Sequence, residues 1–158
     1  MLPIQTILHP TDFSSPSRHA FALACSLAKD HGARVIVLHV VPPAPAIAME
    51  GFVPPEPESE RDRLAEMLWQ IVPADPQVRV EHQLSDGNPA REILRVAQEH
   101  KCDLIVMGTH GRTGLSRLLM GSVAEHVVRK AACPVLTVKV PLKEIVGELT
   151  EKRETVTA

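Results

Sequence analysis

Gly108, Gly111, Gly114 and Gly121 fall within fourteen residues and are half of the eight glycines in the chain. Residues without a Cβ let backbone N–H groups approach an anion closely, so the segment reads as a cradle for phosphate oxygens. Gly121-Ser122 opens an apolar-periodic run, and the unpaired N–H groups and positive dipole end of a helix starting there favour an anion. Arg112 and Arg117 add positive charge nearby. The pattern is neither a G-x-x-x-x-G-K-[ST] loop nor a G-x-G-x-x-G dinucleotide fingerprint after the first strand. A second polar cluster, His9-Pro10-Thr11-Asp12, follows the first apolar run of the chain.

Each of these groups also has a structural reading. Ser122-Val-Ala-Glu125 is a capping box, in which the serine bonds the N3 amide and the glutamate bonds back. Asp12 can cap a helix or close an Asx turn. His9, His39 and His110 belong to no metal-ligand spacing, Arg117 suits a solvated surface, and Trp69 suits partly buried packing.

The elements that must position these residues alternate along the chain. Ile4–Leu8 reads as a strand that breaks at Pro10. Ser15-Pro16 then starts a helix whose stripe is Ala20, Leu23, Ala24 and Leu27, with Gly32 as its stop. Val35–Val41 is a nearly continuous apolar run, as expected of a strand covered on both faces. Six prolines between Pro42 and Pro57 predict an exposed loop over 42–58, after which Ser59 caps a helix with Leu64, Met67, Leu68 and Ile71 on one face. Val78, Val80, His82 and Leu84 alternate with polar residues, the pattern of an edge strand. Asn88 caps and Pro89 opens a third helix with Ala90, Ile93, Leu94 and Ala97 inward. Leu104–Met107 is a second fully apolar strand, Ser122–Ala131 the last helix, and Val135–Val140 an alternating edge strand.

Alternating strands and helices imply right-handed βαβ units, hence an α/β three-layer sandwich around a five-stranded parallel sheet. Apolar strands inside and alternating strands outside select the order 3-2-1-4-5. Ligands in such sheets bind beyond the carboxyl ends of the strands, where successive connections diverge to opposite faces. That point lies between the first and fourth strands, where the Pro10-Thr11-Asp12 cluster and the glycine segment meet.

Bulk properties narrow the function. A chain of 158 residues, 44% hydrophobic and 23% charged, is one packed domain, assigned to residues 1–140, with a polar tail over 141–158 that is loose or docks. A formal net charge of −2 argues against nucleic acid and anionic lipid as partners. The absence of a leader or a membrane-spanning run, with Cys25, Cys102 and Cys133 read as buried thiols, points to the cytoplasm.

Gly108-x2-Gly111-x9-Gly121-Ser122 after a strand ending in Met107, together with Pro10-Thr11-Asp12 after the first strand, resembles the ATP-binding branch of the universal stress protein family over residues ~2 to 140. The resemblance implies an adenine nucleotide α hydrolase-like fold, ATP binding with Mg²⁺, and a homodimer through the last strand. It implies that Asp12 accepts hydrogen bonds from ribose hydroxyls, that Pro10, Thr11 and Val40 line the adenine pocket, and that Met107 and Gly108 lie under the nucleoside. Gly111, Arg112, Gly121, Ser122 and Val123 would then surround the phosphates, with His110 touching them. The expected function is a nucleotide-dependent regulatory module acting on a protein partner, with slow turnover or none. A weak ATPase or autophosphorylating protein, and a nucleotide-free dimeric scaffold, are the alternatives.

Overall fold

The structure, a computed structural model, describes residues 3–43, 57–109 and 120–139. The elements run β1 (Thr6–Pro10), α1 (Ser15–His31), β2 (Arg34–Val41), α2 (Pro57–Trp69), β3 (Arg79–Asp86), α3 (Pro89–Glu99), β4 (Leu104–Gly108), α4 (Ser122–Lys130) and β5 (Val135–Val138). All five strands pair in parallel in the order β3-β2-β1-β4-β5, the expected sheet.

Successive strand residues face opposite sides of a sheet, so one chain of alternating side chains feeds two cores. Leu8, Ile36, Leu38, Ile105 and Met107 pack with Ile93, Val96, Ala124 and Val127 of α3 and α4. Ile7, Val35, Val37, Leu104 and Val106 pack with Ala20, Ala24 and Ala28 of α1 and Leu68 of α2. That division explains why β1, β2 and β4 read as continuous apolar runs.

Several boundaries differ from the sequence expectation. β1 starts at Thr6 because the N–H groups of Gln5 and Thr6 donate to the Asp103 carboxylate, at 2.9 and 3.0 Å. It extends to Pro10 because β1 pairs with β4 only at Ile7 and Leu8, so the proline, lacking an N–H, occupies a stretch flanked by β2 alone. The buried stripe of α1 is Ser17, Ala20, Ala24 and Ala28, whereas Leu23 is exposed and Leu27 half-buried. Small residues let the helix lie close to the sheet, and the leucines sit at the flank. α2 begins at Pro57, a residue suited to the first helical position, so Ser59 lies inside the first turn and does not cap it. Trp69 is 64% exposed, more than the partly buried packing expected of it, and its ring lies tilted against that of His82 with centroids 4.8 Å apart. Of the cysteines only Cys102 is buried; Cys25 and Cys133 are half-buried, and all three are free thiols. Burial pushes the Cys25 and Cys102 thiols up to about 11 and about 12, which keeps them protonated and unreactive. α4 ends at Lys130, and β5 at Val138; the predicted Val140, the tail and most of the 42–58 loop lie outside the described residues.

Caps fix the ends that approach the sheet's carboxyl edge. Ser14 caps α1 by accepting from the Ser17 N–H, and Gly32 closes it at φ 66°. Asn88 Oδ1 accepts from the Arg91 N–H at 3.1 Å to cap α3.

Candidate functional site

At the carboxyl edge, between β1 and β4, lies a cavity of about 260 Å³. It is where the α1/α2 and α3/α4 connections leave for opposite faces. Pro10, Thr11 and Asp12 enter it from the end of β1, Val40 from β2, Met107 and Gly108 from β4, and Gly121, Ser122 and Val123 from the start of α4. His110, Gly111 and Arg112 lie outside the described residues.

The β1–α1 turn is held from every side. Thr11 N–H donates to the Leu38 carbonyl at 2.8 Å, the Thr11 carbonyl accepts from His39 Nδ1 at 2.8 Å, and Thr11 Oγ1 accepts from the Phe13 N–H at 3.1 Å and the Ser17 hydroxyl at 2.7 Å. Thr11 is therefore a strut of the wall rather than a free donor. Asp12 forms the Asx turn that its sequence position allowed, Oδ1 accepting from the Ser14 N–H at 3.0 Å and from the Ser14 hydroxyl. Its carboxylate is at the same time the only one among the described lining residues.

Beneath the turn, His9 is fully buried, and its Nδ1 donates to the Val106 carbonyl at 2.9 Å. Burial lowers its pKa to about 4, against the smaller opposing effects of that hydrogen bond and of the Asp12 charge. The imidazole is neutral near pH 7 and ties β1 to β4 below the cavity floor.

Across the cavity, Gly121 is the N-cap of α4 and makes no side-chain capping hydrogen bond. The predicted Ser122–Glu125 capping box does not form, because Ser122 is the first helical residue, one place too late for a cap. Gly121's own N–H is occupied, donating to the Thr109 carbonyl at 2.7 Å, while Thr109 N–H donates to Val138 at 3.0 Å. The first bond ties the end of β4 to the start of α4, and the second ties it to the end of β5. The Gly121 amide is thereby engaged within the protein, while Gly121 still lines the cavity at the dipole end of the helix behind it. Gly108 has a packing reason to be glycine, since a Cβ there would stand 3.1 Å from Pro16 Cβ and 3.2 Å from its carbonyl carbon.

Thr109, Leu38, His39, Pro89 and Ile93 also line the cavity, although the sequence assigned none of them to nucleotide binding. Thr109 lay inside the glycine segment and could have been included. Pro89 and Ile93 come from a helix separated in sequence from both motifs, and no local pattern marks them. Among the described residues no group of three or more His, Cys, Asp or Glu side chains gathers to hold a metal, and no helix is long and apolar enough to cross a membrane.

Comparison with known proteins agrees with this architecture. The universal stress protein MJ0531 of Methanocaldococcus jannaschii is 40% identical over 142 residues, covering 87% of this chain and 84% of that protein. The structure of universal stress protein UspA from Lactobacillus plantarum superposes with a TM-score of 0.70 at 26% identity, covering 87% of this chain and 99% of the other. A universal stress protein from Archaeoglobus fulgidus, solved in complex with dAMP, shares the fold with a TM-score of 0.63 at 22% identity, covering 88% of this chain and 100% of the other. The model of the universal stress protein family matches residues 3–139, nearly the whole chain, and this protein belongs to that family.

Proposed function

We propose that the cavity between β1 and β4 binds ATP with Mg²⁺, and that the chain is a nucleotide-dependent regulatory module of the stress response. The carrying observation is the meeting of an α4 N-terminus without a side-chain cap and the Asp12 carboxylate at one cavity. Val40, Met107 and Ile93 offer apolar walls to a base, and Asp12 offers acceptors to ribose hydroxyls. Phosphates then fall at the start of α4, where the dipole favours them. His110, Gly111 and Arg112 are assigned to the phosphates on sequence grounds alone. Mg²⁺ would arrive with the phosphates, coordinated by their oxygens and by water, which requires no protein cage. The adenine nucleotide held by the Archaeoglobus relative supports the ligand class.

Slow turnover or none belongs to the same reading, since Asp12 Oδ1 already accepts from Ser14 and no lysine lines the described cavity. A cytoplasmic homodimer formed through β5 completes it, because among the described residues β5 pairs only with β4 and carries the exposed Leu136. The test is to denature purified protein, chromatograph the released small molecules, and titrate ATP and Mg²⁺ by calorimetry. Adenine nucleotide in near-stoichiometric amount, or saturable ATP binding, supports the proposal; neither at millimolar ATP sinks it. Single-turnover assays with labelled ATP separate module from enzyme, since fast hydrolysis lost in Asp12→Ala would establish catalysis.

A further inference from the structure

The β1–α1 turn has a second side. Against the face of the sheet covered by α1 and α2 lies another cavity, of about 270 Å³, walled by Phe13, Phe21, Met67 and Ile71 with His9 contributing from the buried interior. Exposed Arg18 and Gln70 stand at its rim. Thr11 and Ser17 line this cavity and the first one alike, so the Ser17-to-Thr11 hydroxyl bond of 2.7 Å is a partition between two chambers. Phe13 extends the partition. It holds φ 64°, a left-handed conformation that is costly for a bulky residue, and its ring rests 4.4 Å from His39, which lines the first cavity.

We propose that this second cavity binds a small, neutral, planar aromatic molecule of one or two rings, and that its occupancy tightens nucleotide binding across the Thr11–Ser17 partition. Size permits it: an apolar cavity of about 150 Å³ already admits benzene. The walls select for it. Phe13 and Phe21 offer tilted aromatic contacts, Phe21 being backed by the buried His9 ring at 5.5 Å, and Met67 adds a deformable thioether. The polar groups behind these walls, the Thr11 and Ser17 hydroxyls and the His9 imidazole, are buried and already hydrogen-bonded within the protein, so the walls present no charge that would call for a charged ligand. A ring lodged there holds Phe13 against His39, and His39 in turn holds the Thr11 carbonyl beside Asp12, so the turn is ordered before nucleotide arrives.

Linkage to ATP rests on the nucleotide reading above, whereas aromatic binding to the nucleotide-free protein does not. The experiment titrates indole into the full chain, first without and then with ATP and Mg²⁺, following backbone amide shifts by NMR. Saturable shifts centred on Phe13, Phe21 and Ile71, with a dissociation constant below about 1 mM, are expected. ATP affinity should rise about fivefold or more at saturating indole, with the same factor on indole affinity at saturating ATP, as linkage requires. Met67→Trp and Phe21→Trp, which fill the chamber from opposite walls, should each abolish the indole shifts while the amide spectrum remains that of a folded protein. Absence of saturable shifts, shifts centred instead on Val40, Met107 and Val123, or undiminished binding in both folded variants overturns the site. Indole binding with unaltered ATP affinity overturns the linkage. Indole binding by a protein that fails to bind ATP overturns the linkage too and leaves the aromatic site standing.

Discussion

Water is excluded from His9 entirely, and a charge placed there would lose its hydration with only the Val106 carbonyl and the Asp12 charge as partial compensation. The folded-state pKa, about 4, lies below that of an unfolded histidine at about 6.5. The unfolded chain therefore binds more protons between those values, so this contribution is present in full above about pH 6.5 and is lost as pH falls toward 4. Between pH 7 and pH 5 the loss comes to about 2 kcal/mol. His9→Asn, which keeps a donor for Val106 without titrating, should flatten that dependence in urea melts; an unchanged pH slope would refute the assignment. Gly108 makes a second residue-scale prediction. Because its Cβ would press on the backbone of Pro16, Gly108→Ala should destabilise by about 1–3 kcal/mol, measured by denaturant unfolding, even with no nucleotide present.

Helix starts separate capping from binding. Asn88 accepts from the Arg91 N–H, so Asn88→Ala should cost about 1 kcal/mol of stability. Ser122 makes no capping bond, so Ser122→Ala should change stability by less than about 0.5 kcal/mol, and a loss as large as that of Asn88→Ala would restore the capping box. Gly121 sits at φ −72° and ψ 159°, torsions open to any residue, so Gly121→Val tests ligand approach without imposing backbone strain. Its expected result is a tenfold or greater loss of ATP affinity, on the order of 1.4 kcal/mol, beside a loss of stability of about 1 kcal/mol from the poorer helix cap in the nucleotide-free protein. The helices were legible where a cap and a stop flank the periodic run, as with Asn88-Pro89 and Gly32. The buried face of α1 was not, because leucine spacing alone favoured Leu23 and Leu27, whereas close approach to the sheet selects the alanines.

For the molecule as a whole, ligand and partner act through mass action. ATP with Mg²⁺ at 100 times its dissociation constant should stabilise the fold by about 2.7 kcal/mol, a rise in melting temperature on the order of 5–10 °C. An unmoved melting temperature would contradict nucleotide binding to the native state. Gel filtration should give twice the monomer mass, and Leu136→Lys on the exposed face of β5 should shift the protein toward monomer; a wild-type monomer would remove the dimer from the proposal.

The order of the strands and the place of the switch-point cavity were fixed by local chemistry: apolar runs must be covered on both faces, alternating runs must lie at the rims, and right-handed crossovers leave one switch point. That much needs no knowledge of distant contacts. Whether the Gly121 amide was available, why Gly108 lacks a side chain, and that Thr11 and Ser17 stand as a wall between neighbouring cavities depended on residues far apart in sequence arriving at one edge. Such facts are set by packing, in which the partner of each group is chosen by the whole fold, so only the tertiary structure decides them.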